Sequence, residues 1–425
     1  MGGALSEVTP TALGRVSVRV AMLTWEYPPR IVGGIARHVE ELSWALARQG
    51  HAIRVVTCAF ADAPAEEQYN GVWVHRVEPF KPANDFVHWV HQLNAAMHDR
   101  ASDILAEWLR DAPDAKRLDP DRAIILHAHD WVAHFSAVRL KHAYRLPLVS
   151  TIHATEHGRN QGIRTDQQRY IHATERELTA ESWRVVVCSE FMKGEVEHTL
   201  NTPLDKMDII PNGVRTSKFE FPFTEAEAAG FRRNYASPEE RLVVFSGRMV
   251  REKGAHVLVE AVRMVRDMGV PAKLVMVGGG ERGHLERQAR DCGIGANVYF
   301  TGFVPDDTLL RLYRVADAAC FPSLYEPFGI VALEAMAAGV PVVVSDAGGL
   351  KEIVEHDRTG TVVWRGNADS LAWGLKRTLT DTTQARAMAT AARRKCEEVY
   401  NWDRIAGLTS DVYRRVWGEY VGSAW

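Results

Sequence analysis

Cysteine is scarce in this sequence. Five occur in 425 residues, at Cys58, Cys188, Cys292, Cys320 and Cys396. They are scattered, and no CxxC pair or disulfide framework appears. Cys58, Cys188 and Cys320 fall in apolar, strand-like runs, so buried reduced thiols and a cytoplasmic setting are expected. No apolar run approaches the roughly 18 residues of a membrane span, and the opening MGGALSEVTPTALGRVSV lacks the apolar core of a secretory signal. A charge excess of either sign is also missing. The formal net charge is -3 and the pI about 6.6, and neither value calls for nucleic acid or an anionic membrane as the main partner. The GxGxxG dinucleotide fingerprint is absent, which argues against nicotinamide or flavin chemistry.

What is present is a soluble globular composition, 46% hydrophobic and 25% charged, too long for one core. Short β-branched runs (VRVAMLTW, AIRVVTC, GVWVHRV, AIILHAH, LPLVSTIH, RVVVCS) alternate with helical patterns at Gly34 to Gln49, Phe86 to Arg110 and Asp166 to Thr179. The grammar restarts with LVVFSG, AKLVMVG, NVYFTG, AACFPS, PVVVSD and TGTVVW. Strands apolar on both faces and joined by helices predict an α/β protein of two doubly wound, Rossmann-like domains, with ligands between them at the carboxyl ends of the strands. The turn-rich DIIPNGVRTSKFEFPF separates the two series. We therefore expect a flexible tail over 1–17, a first domain over 18–217, a second over 218–401 and a terminal helix over 402–425. Periodicity alone would pack that helix on the nearest domain.

Five constellations carry candidate chemistry. WEYPPRIVGG follows the first strand, and Gly33 and Gly34 open a helix whose free N–H groups suit an anion; a tight turn needing glycine for geometry alone is the alternative. HAHDW, with Asp130 and Trp131, and TIHATEHG, with His153, each sit at the end of an apolar strand. No His pair there has helical metal-ligand spacing with a carboxylate nearby, so no metal is expected, and neutral histidines that donate to a substrate fit better. In SGRMVREKG, Arg248 and Lys253 lie between Gly247 and Gly254, a guanidinium fork and a compact ammonium suited to a diphosphate; a solvated basic loop is the bland reading. In PSLYEPFGIVALEAMAAGVP, Pro327 and Gly329 make a turn into a small-residue helix from Val331 to Ala338. Glu326 precedes that helix and Glu334 lies one turn in, among apolar neighbours where an unpaired carboxylate is costly. A DPD at Asp119 to Asp121 reads as turn chemistry.

Together these motifs resemble the retaining glycosyltransferases of the GT-B fold, in the large fourth family that includes glycogen-synthase-like enzymes. The resemblance runs from about Arg19 to Tyr420. WEYPP, VGG, HAHDW and TIHATEHGR make it narrower, similar to bacterial enzymes that extend α-1,4-glucans. It implies that Glu334 holds the nucleotide ribose, that Arg248 and Lys253 bind the diphosphate, and that Glu326 lies near the transferred sugar. It also implies sugar and phosphate contacts from Gly247, Phe328, Gly329, Ile330 and Val331, an approach of Gly33 and Gly34 to the phosphates, a sugar contact from His153, and an acceptor glucan facing Asp130 and Trp131. In such enzymes the last helix crosses back to the first domain. One departure stands out. The Lys-x-Gly-Gly of bacterial starch-synthase-type enzymes is replaced here by Ile31-Val32-Gly33-Gly34, so that lysine's handling of the donor is absent.

The implied reaction is transfer of glucose from UDP-glucose or ADP-glucose to the nonreducing end of an α-1,4-glucan, with retention and without a cofactor, and homo-oligomers are compatible with it. A mannosyl- or other hexosyltransferase for a lipid or small acceptor is the alternative. A sugar phosphorylase, a nucleotide-sugar epimerase and a noncatalytic glucan-binding protein are further ones. A phosphorylase needs a pyridoxal lysine in a recognisable context, and a pure binder has no need of a diphosphate clamp.

Overall fold

The computed structural model describes residues 17–110, 116 and 122–425. The expected tail, apart from Ser17, and the turn at Asp119 to Asp121 lie outside the described residues. The chain divides into two compact units. One runs to Thr151 and also takes Glu181–Arg184 and Gly407–Trp425; the other holds Ile152–Ala180 and Val185–Ala406.

In the first unit β1 (Val18–Leu23), β2 (Ala52–Cys58), β3 (Glu66–Tyr69), β4 (Val72–Val77), β5 (Ala123–His129) and β6 (Leu148–Ile152) stand in the order β3-β4-β2-β1-β5-β6. All neighbours are parallel except β3 and β4. The reason is in the side chains: β5 is buried at every position, as expected of a central strand covered by helices on both faces. The helices Gly34–Arg48 and Phe86–Leu109 form close to their predicted spans, the second capped where the Asp85 carboxylate accepts from His88 N–H. Sequence periodicity missed β3, because EEQY is polar and lies on the sheet edge. The signal was in the loop: Asn70 and Gly71 both have positive φ, 50° and 80°, the requirement of a type I′ hairpin.

The second unit carries β7 (Arg184–Val187), which pairs in parallel with β8 (Met207–Ile209). It also has a wholly parallel sheet of β9 (Arg241–Ser246), β10 (Ala272–Val277), β11 (Val298–Gly302), β12 (Ala318–Phe321), β13 (Val342–Ser345) and β14 (Thr361–Val363), in the order β11-β10-β9-β12-β13-β14. The helices Ala255–Asp267 and Ala368–Thr380 pack on one face of it, through Leu258, Val262, Leu371 and Leu375 among others.

The last helix, Trp402–Gly422, belongs to the first unit from Gly407 onward. Buried polar contacts fix it there. Tyr413 OH meets His127 Nδ1 at 2.6 Å, and Tyr420 OH donates to the Arg145 carbonyl at 2.5 Å. His51 bridges two elements: its Nδ1 accepts from Val18 N–H at 3.0 Å and its Nε2 meets Ser410 Oγ at 2.7 Å. The first contact requires a neutral ring. Burial, aided by the Arg414 charge, pushes the His51 pKa down to about 4.

The native state therefore binds fewer protons at His51 than the unfolded state does between pH 4 and about 6.5, so stability is full above 6.5 and declines as pH falls toward 4. Urea unfolding at pH 7.5 and pH 5.0 should show this decline. The decline should shrink in His51→Gln. His51→Ala should lower stability by about 1–3 kcal/mol at pH 7.5, because Val18 N–H and the Ser410 hydroxyl lose a buried partner.

Candidate active site

Within the second unit three loops meet beyond β9, β12 and the start of the helix Ile330–Ala337. Lys253 and Glu326, 73 residues apart, form an ion pair of 2.7 Å with both side chains largely buried. Ser323 Oγ donates to the same Glu326 oxygen at 3.2 Å. The backbone around the pair is closely fitted. The Glu252 carbonyl accepts from Leu324 N–H at 2.7 Å and from Tyr325 N–H at 3.3 Å. Gly254, at φ 69°, packs so tightly that a Cβ would stand 1.9 Å from the Pro322 carbonyl oxygen. Gly329, at φ 110°, caps the helix without a side chain, and a Cβ there would strike Leu350. That helix start therefore offers its first amides with no side-chain cap over them.

The predicted donor residues occupy this unit as follows. Arg248 is exposed, with a long 3.5 Å contact to Glu252, so its guanidinium is available to an anion. Gly247 lies beside Phe245 in the turn after β9. Ile330, Val331 and Glu334 are half-buried on the first turns of the helix. Phe328 is buried instead, its ring edge-on to Tyr400 at 6.1 Å, so its side chain supports the loop from within.

His153 belongs to the same unit. Loss of hydration, with the nearby Arg159 charge, pushes its pKa down to about 3, so the ring is neutral at any working pH. The loop that carries it is tied to the residue before Glu326 through Glu195. One oxygen of Glu195 accepts from Thr155 Oγ1 and from Tyr325 OH, each at 2.7 Å. Gly158 is the point of closest approach, since a Cβ there would come within 2.3 Å of Tyr325 OH. The neighbouring turn adds two links: Ser189 Oγ donates to the Pro327 carbonyl at 2.7 Å, and the amides of Glu190 and Phe191 donate to the Glu352 carboxylate at 2.9 Å each.

In the first unit, Glu26 turns back on the glycine loop. Its Oε2 accepts from Val32 N–H at 2.7 Å and Gly33 N–H at 2.8 Å. The loop's own carboxylate thus takes the Gly33 amide that the sequence suggested for an external anion. Gly34 begins the helix Gly34–Arg48. Burial raises the Glu26 pKa despite those two amides. Asp130 is buried at φ 58° and ψ 171°, a region that normally only glycine occupies. Its amide donates to the Thr151 carbonyl at 2.9 Å. Trp131 follows, buried, with its ring edge-on to Phe86 at 5.9 Å. His127 holds Tyr413 and Thr151 with its two ring nitrogens and is a structural histidine.

Sequence reasoning passed over Glu26, Glu195, Tyr325 and the run Gly278 to Gly280. The last had a readable signal, three glycines after an apolar strand. A Cβ on Gly278 would lie 2.0 Å from the Gly247 carbonyl oxygen, and Met249 N–H donates to the Gly279 carbonyl at 2.8 Å, so these glycines seat the Arg248 loop. Glu195 had none: a carboxylate on a mixed helix looks solvated.

Comparison with known proteins adds the following. Residues 32–218 match the model of Glycosyltransferase Family 4, and residues 229–395 that of Glycosyl transferases group 1. An uncharacterised glycosyltransferase of Methanocaldococcus jannaschii is 40% identical over 93% of this chain and 98% of its own length. A glycogen synthase of Mycobacterium tuberculosis is 34% identical over 93% of this chain and 94% of its own. Among solved structures, sucrose-phosphate synthase from Thermosynechococcus elongatus superposes with a TM-score of 0.76 at 22% identity, covering 94% and 99% of the two chains. That likeness shows the fold, the GT-B arrangement of two parallel-sheet domains.

The Asp130 backbone gives a direct check on whether its side chain serves function. Asp130→Gly should relieve about 1–3 kcal/mol of backbone strain and raise the unfolding midpoint, while catalysed transfer falls. A variant that is more stable and equally active would show that the aspartate has no role in the reaction.

Proposed function

The chain belongs to the family 4 glycosyltransferases of the GT-B fold, and on that footing we propose that it transfers glucose from a nucleotide diphosphate glucose to the nonreducing end of an α-1,4-glucan, with retention of configuration. The observation that carries the donor side is the Lys253–Glu326 pair beside the uncapped helix start at Gly329. The glucan is supported by the 34% identity to a glycogen synthase and by the HAHDW and TIHATEHGR segments.

The chemistry follows from charge. Breaking the glycosidic bond to the nucleotide leaves a further negative charge on the terminal phosphate of the diphosphate and a developing positive charge on the sugar. Lys253, Arg248 and the amides at Gly329 to Val331 act on the first, because preorganised donors favour the transition state over the ground state. Glu326 keeps Lys253 in place when the site is empty and is itself neutralised by it. Glu334 receives the ribose hydroxyls. A neutral His153 donates a hydrogen bond to a sugar hydroxyl without adding a positive charge beside the oxocarbenium-like centre. Glu326 is engaged by Lys253 and Ser323, so double displacement through it would first require that pair to separate. We therefore favour same-face attack, with the departing phosphate oxygen taking the acceptor proton.

Incubation with UDP-glucose, ADP-glucose or GDP-mannose, with and without maltooligosaccharide, tests this reading. A glucosyl donor should be consumed, and NMR of the lengthened chain should show a new α-linkage. A β-linked product, or consumption of GDP-mannose alone, would overturn it. Lys253→Ala should lower kcat by about 10²-fold or more with the circular dichroism spectrum retained. Glu334→Ala should raise the donor KM about tenfold or more.

A further inference from the structure

Beyond β1 the chain turns through Trp25 to Arg30 and places a cation in an aromatic cage. The Arg30 guanidinium carbon lies 5.4 Å from the Trp89 ring centre, 5.5 Å from that of Trp25 and 5.8 Å from that of Phe60. Phe86 extends the cage: its ring is 6.2 Å from Trp25 and stacked 5.8 Å from Trp89. Phe60 and Phe86 are 42% and 41% exposed, so the cage opens on the surface of the unit. Through the Phe86–Trp131 contact it is continuous with the Asp130 turn.

The arginine itself is unusual. Among the described residues its side chain makes no hydrogen bond or ion pair, and its Nε is buried with no partner. Glu26 feels its charge only weakly and has its Oε2 on the Val32 and Gly33 amides. A structural arginine shares the unpartnered Nε, as Arg76 does, but commits its terminal nitrogens. Arg76, in the same unit, donates to the carbonyls of Pro64 and Pro28 and to the Glu67 carboxylate. In doing so it holds the Pro28 turn that presents Arg30. Three rings fix the Arg30 fork, yet its N–H donors have no protein acceptor. Arg30 is half-buried and of its nitrogens only Nε is buried without a partner, so the two terminal nitrogens are held by the rings and left open to an outside acceptor.

We propose that Arg30, with Trp25, Trp89 and Phe86, forms an acceptor-sugar subsite. A pyranose lies with its C–H face on the rings, whose negative faces attract those hydrogens. The guanidinium fork donates to two adjacent oxygens of the same residue, a pair of neighbouring hydroxyls or a phosphate. The maltooligosaccharide terminus is the occupant that follows from the glucan-acceptor reading, and only the identity of the sugar rests on that reading.

Trp25 and Trp89 supply the signal. Maltoheptaose titrated into the full chain should change the intrinsic tryptophan fluorescence saturably. Arg30→Ala should raise its Kd and its acceptor KM tenfold or more. Arg30→Lys should fail to restore either, since an ammonium lacks the fork. Phe86→Ala should raise the acceptor KM several-fold, and Arg394→Ala, on an exposed helix face of the second unit, should change nothing. If Arg30→Ala binds and uses maltoheptaose as the wild type does, the subsite is wrong while the glucan reading stands. If α-glucose 1-phosphate gives the Arg30-dependent signal and maltoheptaose does not, the subsite stands and the polymer acceptor falls. If neither sugar perturbs the wild-type fluorescence, the subsite is overturned.

Discussion

The ion pair between Lys253 and Glu326 is the contact on which the second unit's site depends. Two charges brought together in a mostly buried place are tolerable only if each satisfies the other, and removing either leaves a costly remainder. The surrounding backbone makes the meeting obligatory. Glu252 accepts from the two amides before Glu326, and Gly254 lies against Pro322 too closely for any side chain. Gly278 does the same for the Gly247 turn that carries Arg248. The positive charges are thus delivered by packed backbone, with little freedom to wander.

A second chain of contacts extends that order to His153. Thr155, Glu195 and Tyr325 share one carboxylate oxygen, and Tyr325 is the residue before Glu326. A displacement of the histidine loop would therefore be felt at the Lys253–Glu326 pair through a path of short hydrogen bonds. Tyr325 keeps its proton far above the ordinary tyrosine range, chiefly because it is buried and then because Glu195 faces it, so the donor in this link does not titrate.

Much of the architecture could be read from residues alone, because a buried parallel strand is apolar at nearly every position and its limits show. β1, β2, β5, β9, β10, β12 and β13 were legible for this reason, whereas β3 was not, since an edge strand need not be apolar. Motif positions at strand ends were legible too. Their partners were harder. Nothing in one-dimensional spacing joins Lys253 to Glu326 or Glu195 to Tyr325, and a carboxylate on a helix gives no sign of whether it is solvated or shared. Glu26 shows the converse limit. The glycine loop reads as an anion cradle, and its Val32 and Gly33 amides are engaged by the protein's own Glu26 carboxyl group.

The return of the last helix has a consequence for how the molecule is made. Residues from Gly407 onward complete the first unit, where they meet His51, His127 and Arg145. During synthesis the opening strands leave the ribosome hundreds of residues before those partners exist, so the unit that is translated first is finished last. A nascent chain halted short of Gly407 lacks nothing that the second unit needs for its parallel sheet. Its defect lies in the first unit, where Val18, His51 and Tyr413 should have come together. Damage to the tail of the message is thus expressed at the head of the protein.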